Sequence, residues 1–264
     1  MRAFAATLSA PLLTICLVLE LFAGSGRFSS AAARHGEWVL RIDTRYGDDH
    51  DLSKISLQNK ILGWIQGGRV KYGLAGFCCQ SFSRARNRPG GPAVLRTNDY
   101  VMGLPSLADH DAAKVQLGNN ILRFCCRLFR ACHLARVPFA LENPWTSWAW
   151  STPAALSIMK LPGARFARTD YCCWRMPWRK STGFLTIYCD TGPIERQCKG
   201  RCICSQSHMP HVQLSGTFQG IFLTHLAEAY PRRLCSALVR MLVNGHMCIQ
   251  SQALDGVFFK QKAS

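Results

Sequence analysis

The segment from Cys79 to Gly91, CQSFSRARNRPGG, holds the residue types best suited to chemistry in this chain. Cys79 follows the apolar run VKYGLAGF, which predicts a strand, and a thiol at the end of a strand is placed to act as a nucleophile. Hydroxyl and guanidinium groups after it suit contacts with phosphate. The nucleic-acid-binding candidates in this loop are Ser83, Arg84, Arg86 and Arg88. The glycines that follow allow the loop to move, so the segment predicts a nucleophile beside a nucleic-acid-binding loop.

Upstream, the sequence FAGSG forms a glycine turn with the character of a nucleotide-binding loop. It supplies Gly24 and Gly26 between a predicted strand and a predicted helix. The next strand, WVLRID, ends in Asp43, and an acid there can accept hydrogen bonds from ribose hydroxyls. In the acidic turn GDDHDLSK, Asp51 can meet the edge of a bound purine. This order indicates a nucleoside-bearing cofactor; the alternative is a plain tight turn with an exposed aspartate.

The apolar run before the glycine turn allows two interpretations. Arg2, an apolar stretch and small residues have the form of a signal peptide, which would make this a secreted, cysteine-rich protein. The competing interpretation is a buried parallel strand from Thr14 to Phe22 that leads directly into the turn. We expect the strand, because the turn, helix and acidic strand end follow in order. The run is too short and too interrupted for a membrane span, and no membrane association is expected.

Two further groups of residues have spacing that suggests function. VPFALENP predicts a strand whose end carries Glu142, a candidate acid or hydrogen-bond acceptor beside the thiol. Between Cys189 and His211 the chain is loop-like and rich in cysteine and histidine. Its candidate ligands for a small structural zinc site are Cys198, Cys202, Cys204, His208 and His211.

Strands and helices alternate along the chain, which predicts an α/β fold with a doubly wound, mostly parallel, Rossmann-like sheet. We expect a helix from Ile55 that is closed by Gly67 and Gly68, and a long helix capped by Asp109 or Asp111. The predicted organisation is a cofactor-binding domain (1–182), a small Cys/His-rich insert (183–224) and a C-terminal helix packing back on the domain (225–264).

The composition favours a polyanionic partner in a reducing compartment. The 264-residue chain has 32 Lys and Arg against 15 Asp and Glu, a net charge of +17. Such a charge suits nucleic acid, although an anionic membrane surface would also attract it. Several of the 14 cysteines are adjacent pairs within apolar segments, which indicates buried free thiols rather than disulfides.

In this order, these segments resemble the DNA cytosine-5 methyltransferases, class I enzymes that use S-adenosylmethionine, and most closely their short, divergent relatives. FAGSG is similar to the cofactor glycine loop, Asp43 to the ribose acid, and Asp51-Leu52 to the turn beside adenine. CQSFS resembles the catalytic PCQxFS pattern, and Glu142-Asn143 resembles the glutamate motif ENV. The arginine motif of the family is matched by PWRKST, through Arg179 or, one register on, Lys180.

The resemblance implies transfer of a methyl group to carbon 5 of cytosine, with Cys79 as the nucleophile at carbon 6 and Glu142 holding the ring. Arg84 or Arg86 would favour the thiolate. The cofactor-binding residues would be Phe22, Gly24, Gly26, Asp43, Asp51 and Leu52. The implied partner is DNA, with RNA also open, and the implied location is the nucleus or another compartment that contains DNA. A duplex substrate requires base flipping, which suits a mobile basic loop.

The chain departs from the family pattern at several places. Cys78 replaces the proline before the catalytic cysteine, and Pro144 follows Glu142-Asn143 where the family has valine. The region between PWRKST and the last helix is short for a target-recognition domain, so a partner or a longer polypeptide would supply recognition. Two alternatives therefore stand beside DNA methylation. One is an inactive nucleic-acid-binding protein with the same fold, and the other is an RNA cytosine-5 methyltransferase.

Overall fold

A six-stranded sheet covered by helices on both faces forms the centre of the protein; this computed structural model describes residues 16–87 and 91–262. The strands of this sheet are β1 (Leu17–Leu21), β2 (Val39–Ile42), β3 (Val70–Gly76), β4 (Phe139–Pro144), β5 (Ala164–Asp170) and β6 (Ser181–Ile187). A separate hairpin consists of β7 (Thr217–Phe218) and β8 (Ile221–Phe222). The helices are α1 (Arg27–Arg34), α2 (Ile55–Gln66), α3 (Asp109–Leu134), α4 (Pro153–Met159), α5 (Leu223–Leu226) and α6 (Arg232–Lys262).

The strand order is β2-β1-β3-β4-β6-β5, and the first four strands of this order are mutually parallel. β6 lies antiparallel between β4 and β5. The predicted α/β class and the mostly parallel sheet are confirmed, and the arrangement is compatible with a Rossmann-like fold. After β2 the chain crosses to the other side of β1 and forms β3 there. The carboxyl ends of β1 and β3 therefore flank a topological switch point. Open α/β sheets bind ligands at the carboxyl ends of the strands at such a point.

Alternating side chains of β1 explain why both faces are covered. Val18 packs in the core with α1 and α6, whereas Leu19 and Leu21 pack in the core with α2 and α3. A parallel strand buried on both faces is rich in apolar residues, as LVLEL is here, with buried Glu20 as its polar residue. Burying such runs on both faces removes enough apolar area from water to hold the sheet and helices together.

Several predicted boundaries shift in the structure. β1 begins at Leu17, and residues 14 and 15 of the predicted strand lie outside the described residues. α3 begins at Asp109, but Ala108 occupies the N-cap position and no side chain caps the helix. Asp111 instead lies in the first turn, where it pairs with Lys114 at 3.1 Å. Its charge still favours the positive end of the helix dipole.

β6 runs across the predicted boundary between residues 182 and 183. Beyond Ile187 the chain forms loops, the β7–β8 hairpin and the short α5. α6 then starts at Arg232, close to the predicted start near Pro231, and buries Leu234 and Leu238 against the sheet. Among the described helices, none combines the length and apolar character that a membrane crossing requires.

Candidate active site

Most of the predicted cofactor-binding and catalytic residues lie together at the carboxyl ends of β1 to β4. These strands are parallel, so their carboxyl ends are on the same side of the sheet. The turn after β1 is tied to the end of β2, where the Gly24 N–H donates to Asp43 Oδ2 at 2.9 Å. The ends of β3 and β4 are tied by Asn143, whose Nδ2 donates to the Phe77 carbonyl at 2.8 Å. These bonds fix the strand ends against one another and so position the loops that follow them.

Two adjoining cavities lie at the carboxyl ends of these strands. The side cavity, of about 320 Å³, has Asp51, Leu52 and Ser53 in its lining. The central cleft, of about 720 Å³, is lined by the glycine turn together with Cys79, Glu142, Lys180 and Tyr230. Both include Phe22, Asp43, Cys78 and Gln80 in their walls. The predicted cofactor residues other than Gly26, together with the predicted catalytic thiol and carboxyl, therefore line two adjoining cavities.

The glycine turn uses backbone conformations that glycine favours. Gly24 and Gly26 have φ of 48° and 63°, and Gly26 immediately precedes α1. A Cβ on Gly26 would lie 2.9 Å from the Arg41 guanidinium, so the turn also needs the small residue for space. Phe22 has a positive φ of 56° although it is not glycine. Strained backbone of this kind is concentrated at functional sites.

The acidic residues of the side cavity are held by backbone donors. Asp43 Oδ1 accepts from the Arg45 N–H at 3.0 Å, and Asp51 Oδ1 accepts from the Ser53 N–H at 2.8 Å. The hydrogen bonds from Ser53 lower the pKa of Asp51 below its usual value. Asp43 also accepts from the Gly24 N–H through Oδ2, but each carboxylate oxygen has two lone pairs, so both side chains retain acceptor capacity for a ligand's hydroxyl or amine groups.

Cys79 lies just beyond β3, with its carbonyl accepting from the Phe82 N–H at 2.9 Å in a tight turn. Burial raises the pKa of the Cys79 thiol to about 11, and Glu142 contributes in the same direction, whereas Lys180 opposes the rise. Lys180 is therefore a cation that favours the thiolate, a role that the sequence had suggested for Arg84 or Arg86. At neutral pH the free thiol is mostly protonated.

Glu142 is buried at the end of β4 and opposite Gly76 of β3. Its Oε2 accepts from the Tyr230 hydroxyl at 3.0 Å, while Oε1 is buried without a partner among the described residues. Burial raises the pKa of Glu142, and Lys180 and the Tyr230 hydrogen bond counteract part of that rise. An unpartnered buried carboxyl oxygen costs stability, so it is a natural place for a ligand to bind.

The structure separates the two candidates of the arginine motif. Arg179 Nε donates to buried Asp170 at 3.2 Å, and its Nη1 donates to the Gly200 carbonyl at 2.7 Å. Lys180 lines the central cleft and donates to the Ala227 carbonyl at 3.1 Å. Arg179 thus links the sheet to the Cys/His loop, and Lys180 occupies the place beside Cys79 and Glu142.

The basic loop after Cys79 is only partly free to contact a ligand. The Arg84 guanidinium stacks 3.7 Å from the centroid of the Trp148 ring, and Arg86 Nε donates to the Ala93 carbonyl at 2.9 Å. Ser83 Oγ accepts from the Ala85 N–H at 3.2 Å. Arg88 lies outside the described residues. In this state the described arginines fold the loop back on the protein.

Sequence patterns did not point to Arg96, which is 1% exposed. Its guanidinium donates to the Ser81 carbonyl and hydroxyl and to Asn119 Oδ1, at 2.9, 3.0 and 2.9 Å. It also stacks on Phe82, with 3.8 Å between guanidinium carbon and ring centroid. Arg96 therefore fastens the Cys79–Phe82 turn to α3. A lone arginine in a polar segment gives no signal of burial, so only the tertiary structure reveals it.

A second constellation lies in the Cys/His-rich loop. The side chains of Cys172, Cys198, Cys204 and His211 are buried, and their ligand atoms lie within 4.8 Å of one another. Cys198 Sγ is 4.0 Å from Cys204 Sγ and 3.6 Å from His211 Nε2. A tetrahedral zinc ion with Zn–S near 2.3 Å requires ligand separations of about 3.8 Å. This group can bind a metal ion.

The surroundings of this group resemble a second coordination shell. His211 Nδ1 lies 3.0 Å from the Arg201 carbonyl, which favours the tautomer that leaves Nε2 for a metal. Burial disfavours the Cys204 thiolate, but backbone N–H groups of Ser207 and Gln206, together with Ser207 and His211 side chains, outweigh it and lower its pKa to about 6. Metal ligation needs the thiolate, so these donors prepare the site.

Two of the predicted metal ligands lie outside this group. Cys202 and His208 are exposed, and His208 occupies a turn with φ of 56°. The fourth residue of the group is instead Cys172, which lies in the 3-10 turn after β5. Its apolar neighbourhood in the sequence had indicated a plain buried thiol.

No family model matches this sequence, and no curated protein is significantly similar to it.

Proposed function

We propose that this protein transfers a methyl group from S-adenosylmethionine to carbon 5 of cytosine in DNA. The observation that carries the proposal is the convergence of Cys79, Glu142 and Lys180 in a cleft that adjoins the acidic side cavity. A thiol, a buried carboxyl and a cation in one cleft suit nucleophilic attack on an electron-poor ring. The mostly parallel sheet is compatible with the class I methyltransferase fold that the sequence resemblance implies.

The residues at the side cavity fit the proposed cofactor. Asp43 and Asp51 retain acceptor capacity for ribose hydroxyls and an adenine amine, and Leu52 and Phe22 supply apolar contacts for a ring. Gly24 and Gly26 allow the chain close to the amino-acid end of the cofactor at the start of α1. When bound, S-adenosylmethionine supplies an electrophilic methyl group. Phe22 and Asp43 line both cavities, so residues of either cavity would be available to contact the bound cofactor.

Cys79 is the proposed nucleophile. Its thiolate Sγ forms a bond to carbon 6 of cytosine, and the electron pair of the ring double bond moves onto carbon 5. Bound S-adenosylmethionine would supply the methyl group to carbon 5, its sulfonium–methyl bond breaking and S-adenosylhomocysteine leaving. A solvent base would then remove the proton from carbon 5, and the ring double bond would reform as the Sγ–carbon bond breaks. The thiol proton must leave before attack, and Lys180 is the neighbouring cation that favours this ionisation.

Glu142 is the proposed partner of the cytosine ring. Its buried Oε1 is available for ring nitrogen 3 and the exocyclic amine, while Tyr230 holds Oε2. Burial raises the pKa of this carboxyl, which favours a protonated form able to donate to nitrogen 3 as charge develops on the ring. A buried, preoriented donor stabilises such charge more strongly than water would.

We further propose that the Cys172, Cys198, Cys204 and His211 group holds a structural zinc ion. Four protein ligands close the coordination sphere, which is the arrangement of structural rather than catalytic zinc. The group stabilises a loop-rich region that otherwise has little secondary structure. Through Asp170 it is connected to β5 and β6, since Asp170 Oδ2 accepts from the Cys198 N–H at 2.9 Å.

Covalent trapping on DNA that contains 5-fluorocytosine tests the proposal, because fluorine at carbon 5 blocks release of the enzyme. We expect a stable protein–DNA adduct with wild type and with Cys78→Ser, the matched control at the neighbouring position, and none with Cys79→Ser. Wild type that binds the cofactor but forms no adduct would contradict the proposal. Equal trapping by Cys79→Ser would contradict the assigned nucleophile. Parallel incubations of DNA and RNA with labelled cofactor identify the substrate.

A further inference from the structure

Three arginines form a basic stripe on the outer face of α3. Arg123, Arg127 and Arg130 are spaced four and three residues apart, which places them on one side of a helix. All three are exposed, whereas the residues between them are buried in the core. The arginine stripe therefore faces solvent along its whole length, which is about 10 Å because each helical residue rises about 1.5 Å.

Each guanidinium of the arginine stripe is held by a neutral side chain. Arg123, Arg127 and Arg130 donate, in this order, to Asn120 Oδ1 at 3.0 Å, Asn59 Oδ1 at 3.2 Å and Ser157 Oγ at 2.7 Å. Asn59 belongs to α2 and Ser157 to α4, and both of these helices pack against α3. A guanidinium has five N–H donors, so one such bond orients it and leaves its charge and most of its donors for a partner.

The helices around the arginine stripe supply no negative charge to neutralise it. Within the described helices α2, α3 and α4, the acidic residues are Asp109 and Asp111, both in the first turn of α3. None of the salt bridges between described residues involves the stripe. Like charges three or four residues apart on a helix repel each other, so binding of an anion would relieve a local cost.

The spacing and rigidity of the arginine stripe favour duplex DNA as this anion. One strand of a duplex carries a phosphate about every 3.4 Å along the axis, so the stripe can face roughly three phosphates. Arginine also suits phosphate because its planar group can donate two parallel hydrogen bonds. A single strand would call for exposed aromatic rings that stack on its bases, but the aromatic residues of α2, α3 and α4, all described helices, are buried: Trp64, Phe124 and Phe129.

The arginine stripe lies apart from the proposed active site. The described linings of the side cavity and the central cleft include none of its arginines. Ile121 is the residue of α3 farthest along the chain that lines the side cavity, and Arg130 lies nine residues beyond it, about 14 Å along the helix. In this direction α3 leads toward the amino end of β4. DNA on the stripe would thus bind at a place distinct from the target base.

We propose that Arg123, Arg127 and Arg130 bind the phosphate backbone of a segment of duplex DNA separate from the one that enters the central cleft. This interaction goes beyond the proposed function and rests on it only for the choice of DNA over RNA. Phosphate contacts carry no base information, so the arginine stripe would hold the protein on DNA without selecting a sequence.

The test measures the affinity of the protein for a short duplex of A·T pairs at several salt concentrations by fluorescence anisotropy. This duplex contains no cytosine, so its binding does not depend on methyl transfer. We expect the triple variant Arg123→Gln, Arg127→Gln, Arg130→Gln to bind about tenfold more weakly at low salt. The slope of log affinity against log salt should fall in magnitude by about 2 to 3, since each phosphate contact contributes about 0.9.

Two further variants control for net charge and for folding. Arg34→Gln, Arg165→Gln, Arg240→Gln removes three exposed arginines from α1, β5 and α6 and should keep the wild-type slope. Replacement of the arginine stripe by three lysines keeps its charge and should retain most of the slope. A lysine variant that is folded and binds as wild type, beside a glutamine variant that does not, assigns the loss to the charge of the stripe.

A folded glutamine variant with the wild-type slope and affinity would overturn the proposal, as would an equal loss in the charge control. Loss of binding to phosphatidylserine vesicles or to polyglutamate, with DNA binding unchanged, would instead assign the arginine stripe to a membrane or an acidic protein. If methyl transfer fails while the salt slope still depends on the stripe, only the proposed function is wrong. If transfer succeeds while the slope ignores the stripe, only the stripe assignment is wrong.

Discussion

The hydroxyl of Tyr230 donates to Glu142 Oε2 at 3.0 Å and so joins the start of the last helix to the end of β4. Gly76 on the neighbouring strand makes this contact possible, since a Cβ there would overlap the Tyr230 hydroxyl. The Tyr230 carbonyl in turn accepts from Nη1 of Arg27, the first residue of α1, at 2.9 Å. One tyrosine thus connects the proposed catalytic carboxyl with the helix that follows the glycine turn.

Replacement of Tyr230 by phenylalanine should lower the rate of methyl transfer about tenfold and the free energy of unfolding by about 1–3 kcal/mol. The ring and its packing are kept, while Glu142 loses the donor that orients it. Single-turnover rates measured on saturating DNA check this expectation. Tyr188→Phe is the matched control, because the Tyr188 hydroxyl lies 2.9 Å from His133 Nδ1 and outside the linings of the two cavities. An unchanged rate in Tyr230→Phe would show that Glu142 needs no such orientation.

The reactivity of Cys79 should increase steeply with pH. Burial raises the pKa of this thiol to about 11, so the thiolate fraction grows roughly tenfold per pH unit between neutrality and that value. Iodoacetamide labelling of the Cys79 peptide, followed by mass spectrometry from pH 7 to pH 10, measures this dependence.

Lys180→Met should slow that labelling further at each pH, because removal of the neighbouring cation raises the pKa again. Arg84→Met is the control, since Arg84 stacks on Trp148. Slower labelling in Arg84→Met with no change in Lys180→Met would assign the thiol's cation to the basic loop after all.

Metal content should depend on the buried Cys/His group and not on its exposed neighbours. Purified protein is expected to contain about one zinc ion per chain, and Cys172→Ser or Cys204→Ser should lose most of it. Cys202→Ser and His208→Ala should retain it, because both side chains are exposed. Elemental analysis gives the stoichiometry, and thermal unfolding with a chelator should show a lower melting temperature. Retained zinc in Cys172→Ser combined with loss in Cys202→Ser would restore the ligand set expected from the sequence.

Local signals in the sequence predicted much of the fold and part of the site. The glycine turn, the acid after β2 and α2 with its closing Gly67 and Gly68 appear where expected, because neighbours in the chain determine turns and caps. Parallel strand ends also brought Cys79 and Glu142 together as predicted. Each of these correctly predicted features depends on residues close in sequence or on the regular geometry of the sheet.

Contacts between distant segments were out of reach of the sequence. Tyr230 meets Glu142 only because α6 packs against the sheet, and Cys172 joins Cys198 only through the path of the loop after β6. The choice between Arg179 and Lys180 depended on which of these two side chains, just before β6, faces the central cleft. A single sequence contains no period or spacing that expresses such relationships.

Arg96→Met should lower the free energy of unfolding by about 2–4 kcal/mol, because its buried acceptors would lose their donor while a side chain of similar length fills the space. The acceptors include the Ser81 carbonyl and Asn119 Oδ1. Urea unfolding followed by circular dichroism measures the loss. Arg123→Met, in the exposed part of α3, is the control and should change stability by less than about 0.5 kcal/mol. Because Arg96 fixes the turn that contains Cys79, iodoacetamide should also label Cys79 faster in Arg96→Met than in wild type, at urea concentrations below the unfolding midpoint of the variant. Equal stability of the two variants would mean that the Cys79–Phe82 turn is held by its own hydrogen bonds and packing.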